Sequence, residues 1–142
     1  MFQGSSALTL DAKGRMSIPA RHRDVLLSAE QGRLTITRHP DGCLMIYPRT
    51  VWEAKREQIA VLPMNARALQ RLLLGSAQDV ELDGAGRILV APELRAAAHL
   101  AREVMLLGIG THFELWDSAE WARRDSEDLE NLDPAVLEKF TF

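Results

Sequence analysis

Cysteine is nearly missing from this chain: Cys43 is the single one in 142 residues. No intramolecular disulfide can form, and a lone thiol fits a reducing compartment, with Cys43 read as a small apolar strand residue. Aromatics make up only 6% of the chain. Trp52, Trp116 and Trp121 fall in amphipathic patterns, which places them in a core rather than on a base-stacking platform. Long apolar runs are missing too. The strongest, VMLLGIG and RLLLG, fall far short of the roughly 20 residues that cross a bilayer, so no membrane partner is expected. The opening MFQGSSALTLDAKGR has no charged segment followed by an apolar stretch, which excludes a secretory signal and predicts a cytoplasmic chain. His22, His39, His99 and His112 show no metal-ligand spacing, and the glycine turns GAGR and GIG lack the strand-loop-helix context of a phosphate-binding loop. No metal, cofactor or small-molecule substrate is expected, and the chain reads as non-enzymatic.

Net positive charge is the last absence, and it misleads. The whole chain carries −3, which by itself argues against a polyanionic partner. Residues 1 to 72 nevertheless hold 11 Lys and Arg against 6 Asp and Glu, a balance of +5, while residues 73 to 142 hold 6 against 14, a balance of −8. Such polarity suggests polyanion contact by the basic half, although the acidic stretch DSEDLENLD is equally readable as a solvated tail.

What the chain does contain is a repeat. LTLDAKGRMSIPARHR, residues 8 to 23, matches VELDGAGRILVAPELR, residues 80 to 95, so that Leu10, Asp11, Gly14, Arg15 and Arg23 meet Leu82, Asp83, Gly86, Arg87 and Arg95 at a constant offset of 72. Further on, Trp52 meets Trp121 at an offset of 69. Self-similarity over such a period means that one supersecondary unit is used twice.

Each unit reads in the same order. Residues 6 to 11 and 15 to 18 alternate polar and apolar around Gly14, the pattern of a hairpin. Pro19 and Pro92 suit the first position of a following helix. The strands RLTITR and CLMIYP flank the turn HPDG, and Thr50 with Glu53 has capping-box spacing for a closing helix. The second half repeats this with EVMLLG, FELW and a helix after Ser118. A connecting helix is expected in NARALQRLLLGSA, capped by Asn65 and ended by Gly75. The parts are therefore a first half at 1–62, a connecting helix at 63–78, a second half at 79–127, and a loosely packed or partner-dependent tail at 128–142.

In LDAKGR, Asp11 can accept backbone N–H groups of the turn while Gly14 takes a positive φ. Arg15 then either locks the hairpin against Asp11 or projects from it as a rigidly mounted cation; spacing does not decide. Around the first copy lie Lys13, Arg15, Arg21, His22 and Arg23. The second copy has Ala85, Arg87, Glu93, Leu94 and Arg95 in their places. A motif kept in both copies, with surroundings that diverge in sign, assigns architecture to the repeat and polyanion contact to the first copy.

The tandem LDAKGRMSIPARHR and LDGAGRILVAPELR, the opening MFQG, the GCLMIYP segment and the bridge ALQRLLLGSAQDVELDGAGRI together resemble the MraZ family of bacterial transcription regulators. The resemblance runs from Met1 to about Trp121. It implies an α+β fold of two tandem AbrB-like β-hairpin and helix units, joined as an intrachain swapped-hairpin barrel with flanking helices. It also implies a ring-shaped homo-oligomer on the nucleoid, binding short G-rich direct repeats of double-stranded DNA in the promoter of the division and cell-wall gene cluster. The family motif falls on Asp11 and Arg15, with Lys13 beside them, and again on Asp83 and Arg87. Where the family usually has two prolines before the second helix, this chain has Ala91 and Pro92. On these grounds Arg15 is expected to read a base edge, and Lys13, Arg21 and Arg23 to contact phosphates. One of Arg21 and Arg23, two apart on a helix, is expected to be structural. Asp11, Gly14, Asp83 and Gly86 are motif residues, and the acidic setting of Arg87 assigns it to a barrel or subunit contact. The competing reading is a ring scaffold or protein-interaction module that does not read DNA.

Overall fold

A computed structural model describes all residues 1–142. Each half contributes four strands. In the first these are β1 (Ser5–Thr9), β2 (Arg15–Ser17), β3 (Arg33–Arg38) and β4 (Leu44–Pro48), with helices α1 (Ala20–Glu30) and α2 (Arg49–Ala60). The second has β5 (Gln78–Glu81), β6 (Arg87–Leu89), β7 (Glu103–Gly108) and β8 (Phe113–Asp117), with α4 (Pro92–Ala97) and α5 (Ser118–Glu130). A short 3-10 turn (Met64–Ala66) and α3 (Arg67–Gly75) connect them, and α6 (Pro134–Lys139) lies in the tail.

The turns expected at Gly14 and Gly86 are present, but their arms do not pair with each other. β1 runs antiparallel to β7, β5 runs antiparallel to β3, and β2 pairs with β6. Each first hairpin is thus opened, and both of its arms are given to the other half. The reason lies in the side chains: in β2 and β6 only Met16 and Ile88 point inward, both almost fully buried, and a three-residue strand cannot bury an apolar face without a partner sheet beneath it. The main sheet follows the order β1-β7-β8-β4-β3-β5 and is open at β1 and β5. The architecture is an open six-stranded antiparallel sheet covered by a separate two-stranded ribbon, with the hairpin arms exchanged between the halves.

Between sheet and ribbon lies the main core, in which Leu26, Leu34, Ile36, Leu44, Val90, Val104, Phe113 and Leu115 join Met16 and Ile88. His22 is buried there against Phe2 and Phe113, with ring centroids 5.7 and 5.0 Å away. Burial disfavours its charged form and lowers its pKa. A second cluster of Met45, Tyr47, Trp52 and Ile59, with Leu73 and Leu74 packed on it, covers the opposite face beneath α2 and α3. With both faces covered, β3 loses the alternation of a half-exposed strand. Leu34 and Ile36 enter the main core, while Thr35 and Thr37 face the other way and are satisfied by Asp79 Oδ1 at 2.8 Å and the Leu73 carbonyl at 2.6 Å. Cys43 is buried just ahead of β4, and burial raises its pKa to about 12.

Polar staples hold this exchange. Arg49 donates through Nη2 to the carbonyls of Leu34 (2.8 Å) and Val80 (3.3 Å), and through Nε to Thr35 Oγ1 (3.0 Å), tying edge strand β5 to β3. The capping box expected from Thr50 and Glu53 does not form. Pro48 occupies the N-cap of α2, and the N–H and hydroxyl of Thr50 both donate to Glu30 Oε1 from the end of α1, at 2.9 and 2.6 Å. A buried carboxylate from another helix thus does the work of a local cap. Asn65 does not cap α3, because the 3-10 turn precedes it and no side chain caps that end. The tail boundary at 128 falls inside α5, and every residue from 131 to 142 is exposed.

Glu30→Ala leaves the Thr50 N–H and hydroxyl without their partner. The expected loss is about 1–3 kcal/mol of stability, read as a lower urea midpoint with an unchanged m-value.

Candidate functional site

The two DxxxR turns superimpose in their bonding. Asp11 Oδ1 accepts the backbone N–H of Lys13 and of Arg15, each at 2.9 Å, and Asp83 Oδ1 accepts those of Ala85 and Arg87 at the same distances. The other carboxylate oxygen takes the arginine: Arg15 Nε donates to Asp11 Oδ2 at 2.7 Å, and Arg87 Nε to Asp83 Oδ2 at 3.0 Å. Gly14 (φ +86°) and Gly86 (φ +76°) supply the left-handed step that lets the chain reverse. The alternatives left open by the spacing are both realised at once. Nε locks the turn, while neither bond uses the terminal Nη groups.

Asp11 is held well below the ordinary carboxylate range, near 2. The largest cause is the hydrogen bond from the Arg15 backbone N–H; the Arg15 side chain and the Lys13 N–H add to it. Asp83 is lowered for the same reason, led by the Arg87 N–H. Both carboxylates stay ionised at any neutral pH, so both arginines remain fixed there.

What brings the two turns together is the ribbon. In its register Arg15 faces Leu89, Met16 faces Ile88 and Ser17 faces Arg87. Because side chains alternate along a strand, Arg15, Ser17, Arg87 and Leu89 share the outer face while Met16 and Ile88 face the core. Arg15 and Arg87, 72 residues apart in sequence, stand on one surface and line one cleft of about 700 Å³. Arg95 and Arg102 line it as well. Lys13 sits exposed at the tip of the first turn.

Arg21 and Arg23 are not brought to this surface in the same way. Arg21 donates to Ser6 Oγ at 3.0 Å and lines a separate hollow with Phe2, Gly4 and Val25. Arg23 is half-buried and lies across Gly86, so close that a Cβ there would collide with it. Its counterpart Arg95 lies across Gly14, where a Cβ would come within 2.6 Å of Nε, and donates to the Val90 carbonyl at 3.0 Å. Of the pair, Arg23 is the one packed against the other half. Arg102 was not singled out from the sequence, since it lies outside the repeated motif and only the β7 pairing carries it to the cleft.

The family model described as "MraZ protein, putative antitoxin-like" matches residues 1–74 and again residues 73–136. The chain belongs to the MraZ family. Relatives along the full length of both sequences include proteins called Transcriptional regulator MraZ from Bordetella pertussis, 68% identical, Herminiimonas arsenicoxydans, 60% identical, and Cupriavidus pinatubonensis, 57% identical. The two family matches meet at the connecting helix α3. In this MraZ chain each match alone therefore lacks the strands that complete its sheet: β1 of the first pairs in the second, and β5 of the second pairs in the first.

Two outcomes follow from the turns. Gly86→Ala must meet both a positive φ and the Arg23 side chain, and is expected to cost about 1–3 kcal/mol. Adding Arg23→Ala should recover part of that loss in a double-mutant cycle read by urea unfolding. Asp11 has a folded pKa below its ordinary 3.8, so its contribution is complete above that value and fades as pH falls toward about 2. The difference in urea midpoint between the wild type and Asp11→Asn should be constant above pH 3.8 and shrink below it.

Proposed function

We propose that this MraZ protein is a DNA-binding transcription regulator that lays the outer face of the β2–β6 ribbon against duplex DNA. One observation carries the reading: Arg15 and Arg87 stand on one face of a two-stranded ribbon, each fixed at Nε by its own aspartate with the Nη pair left over. A β-ribbon fits the major groove, and an arginine presenting both Nη groups bonds the O6 and N7 of guanine bidentately. Anchoring Nε beforehand removes rotamer entropy that binding would otherwise have to overcome. Lys13, at the exposed turn tip, supplies a phosphate contact. Arg21, bonded to Ser6 on another surface, is a second and more distant phosphate candidate.

The equal geometry of the two turns favours a shared role in place of the division expected from charge, so Arg87 is assigned to the DNA face together with Arg15. The names of the relatives support regulation of transcription. Short G-rich direct repeats upstream of the division and cell-wall genes are the proposed target, with the nucleoid in the cytoplasm as the place of action. No helix is long and apolar enough to cross a membrane.

A ring of subunits completes the proposal. A few fixed arginines per subunit give modest affinity, and several ribbons engaging successive repeats multiply it through effective concentration. The net-acidic balance is accommodated because α5 pairs much of its charge internally: Arg123 bridges Glu120 and Glu127, and Arg124 meets Asp128 at 3.0 Å and Asp41 at 3.3 Å.

Binding to a duplex from upstream of the chain's own gene, followed by fluorescence anisotropy at rising salt, tests the reading. Wild type should bind with a steep negative slope of log affinity against log salt. Arg15→Ala and Arg87→Ala should each lose the preference over a scrambled duplex, at about 1–3 kcal/mol per lost guanine contact. Arg15→Lys should not restore it, because an ammonium cannot replace the fork. Binding indifferent to salt and to both substitutions would favour the scaffold reading. Mass measured by light scattering in the same samples reports the ring.

A further inference from the structure

The two ends of the ribbon are not equivalent. The pseudo-two-fold relation between the halves can be followed bond by bond. The Leu10 N–H donates to the Arg102 carbonyl at 2.8 Å, and the Leu82 N–H to the Gly32 carbonyl at 2.8 Å. Arg102 and Gly32 are therefore equivalent positions, one at each end. By the same relation Thr9 corresponds to Glu81, and Ser17 to Leu89. The first end carries Arg102 with its neighbour Glu103 and two hydroxyls; the second offers Arg33 opposite Glu81, an exposed leucine and a glycine.

Arg102 differs from the other arginines near the ribbon and resembles Lys13, which is likewise exposed and whose counterpart is Ala85. Arg15 and Arg87 are held by aspartates, Arg95 by a carbonyl and Arg23 by its packing over Gly86. The Arg102 side chain makes no hydrogen bond, is 80% exposed, and has one acidic neighbour, Glu103, with 3.9 Å between Nε and Oε1. It lines the same cleft as Arg15 and Arg87. Gly32 has no such option: it is buried at φ +72°, and a Cβ there would press on Leu82 at 3.3 Å.

We propose that Arg102 is a phosphate contact present at one end of the ribbon alone, so that each subunit lies along the duplex in a single direction. This rests on the DNA reading above. The two fixed arginines contribute base contacts of equal kind, which leave the two directions along the duplex nearly equivalent. Arg102, together with Lys13, whose counterpart is Ala85, gives the first end two exposed cations against Glu103, whereas the single cation of the second end, Arg33, is half-buried and stands opposite Glu81, so the first end attracts the phosphate backbone more strongly.

The experiment uses the full-length protein with two duplexes, the upstream region of its own gene and a scrambled sequence of equal length. Arg102→Ala should weaken both by the same two- to fivefold or so and reduce the salt slope by about one, leaving sequence preference intact. Arg102→Lys should restore the slope. Phosphate ethylation interference on the wild-type complex should mark one flank of each bound site more strongly than the other, and Arg102→Ala should weaken that stronger mark, with Lys13 retaining part of it. If Arg102→Ala keeps the wild-type affinity, slope and interference pattern while Arg15→Ala loses sequence preference, the Arg102 proposal fails and the DNA reading stands. Equal interference on both flanks of the wild-type site overturns the directional claim. A wild-type protein that shows neither salt dependence nor preference overturns the DNA reading itself.

Discussion

Each DxxxR turn is sealed by the opposite half of the chain. The Ile18 N–H donates to the Gly86 carbonyl at 3.0 Å and the Val90 N–H to the Gly14 carbonyl at 2.8 Å, while Arg23 and Arg95 lie over the same two glycines. Each turn is formed by its own aspartate and is held in place by the other half. The ribbon, the core beneath it and the alignment of the two free guanidinium ends all follow from this reciprocal contact. A side chain at either glycine would push away the arginine that closes it, so glycine is required for space as well as for φ.

Exchange of strands explains why a duplicated chain behaves as one unit. Had each hairpin closed on itself, Met16 and Ile88 would each cover a separate patch too small to bury. Paired across the halves, they complete one core of 17 buried residues. The same pairing converts two distant sequence motifs into one surface. Two arginines with identical local bonds are brought together by the strand register, not by proximity along the chain. This is the preorganisation that the proposed DNA contact calls for, because the side chains most costly to immobilise are fixed before any ligand arrives.

Much of the site was legible in the letters. Asp11, Gly14 and Arg15 announced a turn with a mounted cation, and the offset of 72 announced its twin. The core assignment of Trp52 and Trp116 also follows from pattern, since both are almost fully buried. What the letters did not show was partners distant in the chain. Thr50 and Glu53 have the spacing of a capping box, yet a buried Glu30 from α1 reaches Thr50 first. That Arg23 lies over Gly86 is likewise invisible along the sequence. The acidic neighbourhood of Arg87 along the chain sets it apart from Arg15, and only the ribbon register shows that the two share one face.

The sequence by itself determined the repeat, the chemistry of each turn, the polarity of charge and the family. These depend on contacts within a few residues, or on comparison of letters. Tertiary structure alone decided which strand pairs with which, that the sheet stays open at β1 and β5, and that Arg102 stands beside Arg15 while its equivalent is a glycine. Those facts depend on backbone pairing between segments as far apart as β1 and β7, for which a chain of letters holds no distance. The asymmetry at Arg102 is the clearest case: it lies outside the repeated motif, and only the Leu10 and Leu82 backbone bonds show which position it answers to.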